Sequence, residues 1–136
     1  MAPLPAGTPG VETLLIVENE AAIRNLLQIA LQKKGYTVLA AASGHEALDI
    51  VRGHAGSIDL LITDVVMPDM NGPELARQLA VIRPGTGTLF MSGYLDDALG
   101  DHCMLPAHVN FIQKPFSPRT IAQKVREILD AAQAGL

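Results

Sequence analysis

Several polar residues in this chain could bind a phosphoryl group or a metal ion, and the clearest candidate is Asp64. The apolar run Leu60–Thr63 ends at this carboxylate, and a turn-forming stretch over residues 67–72 follows. A carboxylate at the end of a buried strand, just before a turn, is a candidate nucleophile. Asp64 could also simply begin a turn.

Polar side chains follow four of the five predicted strands: Glu18, Asn19 and Glu20 after the first, Asp64 at the third, Ser92 after the fourth and Lys114 after the fifth. Taken singly, Lys114 and Ser92 could be ordinary loop residues, and Glu20 could serve only the first turn of a helix. Their placement on successive strand ends argues against coincidence, because the carboxyl ends of parallel strands meet at one sheet edge.

Carboxylates gathered at one edge repel each other unless a cation offsets their charge. Mg²⁺ suits a site with few carboxylates and open water positions. Together with Lys114, it would also balance the charge of a phosphoryl group on Asp64. Attack by a carboxylate on phosphorus needs mainly positioning and charge neutralisation, so such a site suffices.

The spacing of apolar residues predicts five strand–helix units, and hence an α/β fold with a parallel sheet. The predicted strands are residues 13–17, 37–41, 60–64, 88–91 and 109–113. The predicted helices cover about residues 21–34, a segment after a capping box at Ser43–Glu46, a segment with Pro73 at its first position, residues 96–103, and a segment after an N-cap at Ser117.

Length and composition predict one domain with a real core. The 136 residues carry a formal net charge of -4, and no densely basic stretch suggests nucleic-acid binding. No apolar run approaches the ~20 residues of a membrane span, and the start lacks the features of a signal peptide. The single cysteine, Cys103, excludes an internal disulfide. We therefore expect a cytoplasmic domain without membrane contact.

The sequence is predicted to consist of one domain with a short tail at each end. Residues 1–11 are rich in proline and glycine and are predicted to be a flexible linker or tail. Residues 12–132 form the predicted domain, and residues 133–136 form a short C-terminal tail. The four histidines fit no metal-ligand or triad spacing, and His45 is expected on an exposed helix face.

Four separated motifs together resemble the receiver domain of two-component response regulators: Leu14–Glu20, Thr63–Gly72, Met91–Gly93 and Gln113–Phe116. The resemblance covers about residues 12–132 and implies a doubly wound, five-stranded, (βα)5 flavodoxin-like fold with strand order 2-1-3-4-5. It implies a phosphoacceptor domain rather than an enzyme that turns over an external substrate.

By this resemblance, Asp64 accepts a phosphoryl group from a histidine of a kinase or of a histidine phosphotransfer protein. Glu18, Asp64 and the Val66 backbone carbonyl serve Mg²⁺, and Ser92 and Lys114 contact the phosphoryl oxygens.

The resemblance also implies a switch in which Ser92 moves and the Phe111 ring turns inward. This switch would repack the face formed by the fourth and fifth strand–helix units, a face that could also pair two copies of the chain. The Lys114–Pro115 bond is expected to be cis.

One position departs from that pattern, and two others bear on how long the phosphoryl group persists. Asn19 stands where the family usually has a second metal-binding carboxylate. A neutral ligand there should weaken the metal site by on the order of 1 kcal/mol or more. Val66 and Tyr94 should flank the path of water to the phosphoryl group, and neither can readily position a hydrolytic water, so self-dephosphorylation is expected to be slow.

The sequence leaves several alternatives open. Its motifs look most like receivers at the C-terminus of hybrid histidine kinases, whereas a free-standing regulator is the alternative because no output domain follows Leu136. A degenerate receiver that docks partners without phosphorylation is a different class, supported by Asn19. A hydrolase with an aspartyl-phosphate intermediate is disfavoured, because no second carboxylate stands two residues after Asp64 to act as an acid.

Overall fold

Residues 12–93 and 110–133, which the computed structural model describes, form five strands and four helices. The strands are β1 (Thr13–Val17), β2 (Thr37–Ala41), β3 (Leu60–Asp64), β4 (Gly87–Ser92) and β5 (Asn110–Gln113). The helices are α1 (Ala21–Gln32), α2 (Gly44–Gly53), α3 (Gly72–Ile82) and α4 (Pro118–Gln133).

All five strands are parallel and lie in one sheet in the order β2-β1-β3-β4-β5. Alternating residues of β1 belong to two different cores: Leu14 and Ile16 pack with α1 and α4, and Leu15 and Val17 pack with α2 and α3. The helices therefore cover both faces of the sheet. This confirms the predicted doubly wound α/β fold and its strand order.

Local signals explain where the helices begin. The Ser43 hydroxyl accepts a hydrogen bond from the Glu46 amide at 3.1 Å, as predicted for a capping box. The Glu46 carboxylate, however, accepts from the amide of Ala42, at 2.6 Å. At the start of α4, the Ser117 hydroxyl accepts from the Thr120 amide at 3.1 Å.

Some predicted boundaries were wrong by one or two residues. Helix α1 ends at Gln32, before a turn in which Gly35 has a φ of 95°. Helix α3 begins at Gly72, because the Asn71 side chain is its N-cap and accepts from the Glu74 amide at 2.8 Å. Pro73 is therefore the second helical residue instead of the first. Strand β4 is one residue longer at each end than predicted.

Several predictions fall outside the described residues: the linker over residues 1–11, the helix over residues 96–103, Cys103, Val109 as the start of β5, and two of the four histidines, His102 and His108. Within residues 12–93 and 110–133, no helix has the length and apolar character to cross a membrane.

Candidate functional site

Glu18, Asp64 and Lys114 meet at the carboxyl edge of the sheet. Glu18 directly follows β1, Asp64 is the last residue of β3, and Lys114 directly follows β5. The Lys114 ammonium nitrogen lies 2.6 Å from Oε2 of Glu18 and 2.6 Å from Oδ1 of Asp64. Glu18 is 0% exposed and Asp64 is 5% exposed, so one ammonium group is shared by two buried carboxyl groups.

The charge of this cluster is not balanced. Burial, and then the neighbouring Glu18 carboxylate, raise the pKa of Asp64 to about 7, and Lys114 offsets only part of this effect. The pKa of Lys114 is raised in turn: its burial opposes the charged form, but its hydrogen bonds to Asp64 and Glu18 outweigh that effect. The site therefore favours an additional positive charge or a proton on Asp64.

Backbone contacts hold Glu18 in place. Its amide donates to the Ala41 carbonyl at 3.1 Å, and its Oε1 accepts from the Glu20 amide at 3.0 Å. The Arg24 guanidinium, on the first turns of α1, donates to the Glu18 carbonyl at 2.8 Å. Sequence reasoning missed Arg24, because a long side chain in a helix gives no local signal of the carbonyl that it reaches.

The loop after Asp64 returns very close to that residue. The Thr63 hydroxyl donates to the Asp64 carbonyl at 3.0 Å, and the Gly72 amide donates to the Val65 carbonyl at 2.7 Å. A Cβ atom built on Gly72 would lie 2.2 Å from the Asp64 carbonyl oxygen. Only glycine fits this approach, which closes the loop over residues 65–71 against the end of β3.

Ser92 and Lys114 are linked through the backbone at the ends of β4 and β5. The Lys114 amide donates to the Ser92 carbonyl at 2.7 Å, and Ser92 is buried. The Lys114–Pro115 peptide bond is cis, as expected. Phe111 pairs with Phe90 across the two strands, and its ring is half-buried against Val65 and Phe90.

The remaining predicted site residues lie at the surface or outside the described residues. Asn19 is exposed next to Glu18, and Val66 is 68% exposed two positions after Asp64. Tyr94 lies outside the described residues. Asp69, which sequence reasoning did not select, is bonded to the start of α2.

The donor set fits Mg²⁺. Within the described residues no group of three or more histidine, cysteine or acidic side chains could hold a metal ion. The two buried carboxyl groups of Glu18 and Asp64 nevertheless carry charge that Lys114 alone does not offset. Mg²⁺ is commonly bound through one or two carboxylates with several waters retained, so two carboxylates and neutral oxygen ligands are suitable.

The sequence is similar to a known family of domains and to individual proteins that contain it. The sequence model of the family described as the response regulator receiver domain matches residues 14–126. The sensor kinase CckA of Brucella abortus is 44% identical over 121 residues, which is 89% of this chain but 13% of that protein. The response regulator receiver protein CpdR of the same organism is 33% identical over 122 residues, which is 90% of this chain and 100% of CpdR.

Solved structures agree with these sequence matches. A crystal structure of the receiver domain from the hybrid histidine kinase CckA superposes with a TM-score of 0.72 at 38% identity, covering 86% of this chain and 98% of that one. A CheY-like receiver domain protein from Methanospirillum hungatei superposes with a TM-score of 0.78 at 28% identity, covering 93% of this chain and 100% of that one.

Proposed function

Because the chain belongs to the response regulator receiver domain family, we propose that it is a phosphoacceptor that receives a phosphoryl group on Asp64. The observation that carries this proposal is the sharing of Lys114 by two buried carboxyl groups at the carboxyl edge of the sheet. Receiver domains are regulatory modules, and the proposed reaction is a single transfer that the domain itself promotes.

In the proposed transfer, a carboxylate oxygen of Asp64 forms a bond to phosphorus while the bond from phosphorus to the donor histidine nitrogen breaks. The electron pair of the broken bond stays on the imidazole. Because the transition state is loose, the chain's main task is to position the reactants and to stabilise the oxygens of the transferring group. Lys114 and Ser92 are the residues that would contact those oxygens.

Glu18, Asp64, the Val66 backbone carbonyl and the Asn19 amide oxygen would hold Mg²⁺. When bound, Mg²⁺ supplies positive charge next to the carboxylates and the phosphoryl oxygens. Asp64 must be ionised to attack phosphorus, and with its pKa at about 7 the metal-free carboxyl group is only partly ionised at neutral pH. The Lys114 ammonium group has three N–H donors, so it could contact a phosphoryl oxygen while it keeps its contacts to Glu18 and Asp64.

The partner that we propose is a histidine kinase or a histidine phosphotransfer protein. The match to a sensor kinase over only 13% of that protein supports a receiver domain that serves such a kinase. The match to a receiver protein over its full length supports a free-standing domain equally well.

The proposed output is a change at the face formed by the fourth and fifth strand–helix units, to which β4, β5 and α4 belong. A phosphoryl group adds about two negative charges next to Ser92 and Lys114, and Ser92 is expected to move toward it. The half-buried Phe111 ring can then turn further inward against Phe90. The same face would bind a downstream partner or a second copy of the chain.

The test is incubation with Mg²⁺ and a small phosphodonor such as acetyl phosphate, followed by intact-mass measurement. The parent should gain one phosphoryl group, and Asp64→Asn should gain none, because an amide is a far poorer nucleophile. Asp49→Asn is the matched control, since Asp49 is an exposed aspartate on α2. It should be labelled like the parent.

Undiminished labelling of Asp64→Asn would overturn the assignment of the acceptor. A folded parent that gains no phosphoryl group would instead favour a domain that docks partners without phosphorylation.

A further inference from the structure

Asp69 fastens the loop after β3 to the start of α2. Its Oδ1 accepts a hydrogen bond from the Gly44 amide at 3.2 Å, and its Oδ2 accepts from the His45 amide at 2.9 Å. The His45 ring nitrogen Nδ1 lies 2.7 Å from the same Oδ2. The carboxylate thus meets the first two amides of α2, where negative charge is favoured by the helix dipole.

This contact holds the middle of the loop. The start of the loop is tied to β4 through the Val65 amide and the Met91 carbonyl, 3.0 Å apart, and its end is closed by Gly72. Between these points Val66 is 68% exposed, whereas Met67 is 8% exposed and packs in the core beneath α2 and α3. Asp69 adds an ionic contact to this apolar packing.

The Asp69 carboxylate is ionised near neutral pH, so its contact with α2 carries a negative charge there. Partial burial opposes ionisation, but the hydrogen bonds from the His45 amide, the His45 ring and the Gly44 amide outweigh it and lower the pKa of Asp69 to about 2. The carboxylate is therefore ionised throughout the range in which the protein is expected to work.

We propose that Asp69 is a positioning residue that holds the backbone of the loop over residues 65–71, and with it the Val66 carbonyl, in place for Mg²⁺. The inference rests on the proposed function, because it concerns the same metal site. It assigns a role to a side chain that would touch neither the metal ion nor the phosphoryl group. Through this side chain, helix α2 becomes part of the support of the site.

The decisive measurement is the affinity for Mg²⁺ alone, by calorimetric titration at pH 8. Asp69→Ala should weaken binding by on the order of tenfold, which is typical when a residue that supports a metal ligand is lost. Asp69→Asn keeps an oxygen acceptor for the α2 amides and should recover part of the loss. His45→Ala removes only the ring contact of a side chain that is 72% exposed, and should weaken binding less.

Ser43→Ala is the matched control for helix stability. It removes the other capping contact of α2, the bond from the Glu46 amide to the Ser43 hydroxyl, and leaves the loop untouched. Loss of such a cap costs the helix about 1 kcal/mol. If Asp69 acts by position, Ser43→Ala should bind Mg²⁺ like the parent despite a similar loss of stability.

A second readout needs no metal. In the metal-free protein, backbone ¹⁵N relaxation should show greater mobility at Val66 to Met70 in Asp69→Ala than in the parent or in Ser43→Ala.

A third readout is the rate of phosphorylation. Phosphorylation of Asp69→Ala by a small donor should be slow at low Mg²⁺ and should approach the parent rate at saturating Mg²⁺, because the acceptor itself is intact.

Equal Mg²⁺ affinity in parent and Asp69→Ala, or equal weakening by Ser43→Ala, would overturn the positioning role and leave the proposed function standing. A parent that binds no Mg²⁺ would overturn both. If Asp69→Ala does not fold, Asp69→Asn and His45→Ala decide the question by the same titration.

Discussion

Asp64 lies in surroundings that favour its neutral form, so its ionisation in the metal-free protein costs stability. Its pKa is raised from 3.8 to about 7 in the folded chain, first by burial and then by Glu18. Between these pH values the folded state binds more protons than the unfolded state does. The stabilisation that the protonated Asp64 side chain gives the folded state is fully present below about pH 4 and is lost as the pH rises through about 7.

We therefore expect Asp64→Asn, which cannot ionise, to be more stable than the metal-free parent at pH 8, by on the order of 1 kcal/mol or more. The difference should shrink at pH 5.5 and on addition of Mg²⁺ to the parent. Urea unfolding at the two pH values measures it, with Asp49→Asn as a control that shows no such trend. A difference that is the same at both pH values would show that Asp64 is not destabilised by its charge.

At Asn19 the expected effect concerns metal affinity. Asn19→Asp would place a third charged oxygen beside Glu18 and Asp64, so Mg²⁺ should bind several-fold more tightly at pH 8. Asn25→Asp adds the same charge on the exposed surface of α1 and serves as the control. Equal gains in the two variants would indicate a general charge effect and would place Asn19 outside the metal ligands.

At the scale of elements, β4 and β5 should couple the phosphorylation of Asp64 to the position of the Phe111 ring. Ser92→Ala should still permit phosphorylation, but the change around Phe111 should be smaller, because the hydroxyl that would bond the phosphoryl oxygen is gone. NMR shifts around Phe111 on addition of beryllofluoride, a phosphoryl mimic, measure the response. A response as full as that of the parent would show that Ser92 does not couple the two.

The elements themselves were predictable where their signals are local. Strands β1 and β2 match the sequence prediction in both bounds, because each is a short apolar run set off by polar or glycine residues. The Ser43 and Ser117 caps were also predicted, since a cap depends on residues three positions apart. The strand order came from the family resemblance alone.

Long-range contacts explain what sequence reasoning could not reach. That Glu18, Asp64 and Ser92 stand at strand ends followed from periodicity, but the sharing of Lys114 between two carboxyl groups depends on side-chain geometry. The bond from Asp69 to α2 spans 24 positions of the sequence and depends on how the loop folds back. An aspartate in a turn is too common to signal such a contact.

At the scale of the whole molecule, Arg126 joins helix α4 to the residues that directly precede β1 and β2. Its guanidinium donates to Glu12, which precedes β1, at 2.8 Å, and to the Tyr36 hydroxyl, which precedes β2, at 3.1 Å. The Glu12 side chain is 8% exposed. Arg126 therefore connects the two ends of the described fold through a largely buried ion pair.

Arg126→Met should lower the free energy of unfolding by on the order of 2 kcal/mol or more, because it removes the cation beside a buried carboxylate. Arg77→Met, which breaks an exposed ion pair with Glu74 within α3, should change it little. Chemical denaturation of both variants against the parent gives the comparison. Similar small effects would mean that the Arg126 contacts add no more than a surface pair does.

The wide spacing of the charged cluster along the chain has a consequence for protein synthesis. Lys114 comes 96 positions after Glu18, so a ribosome adding about 5 to 20 residues per second delivers it about 5 to 20 seconds later. Until then the two acids of the nascent chain have no access to their shared ammonium group. In the incomplete domain, these carboxylates must remain in water or be neutralised by protons or metal ions. The cluster at the carboxyl edge of the sheet can form only after β5 and Lys114 have been synthesised.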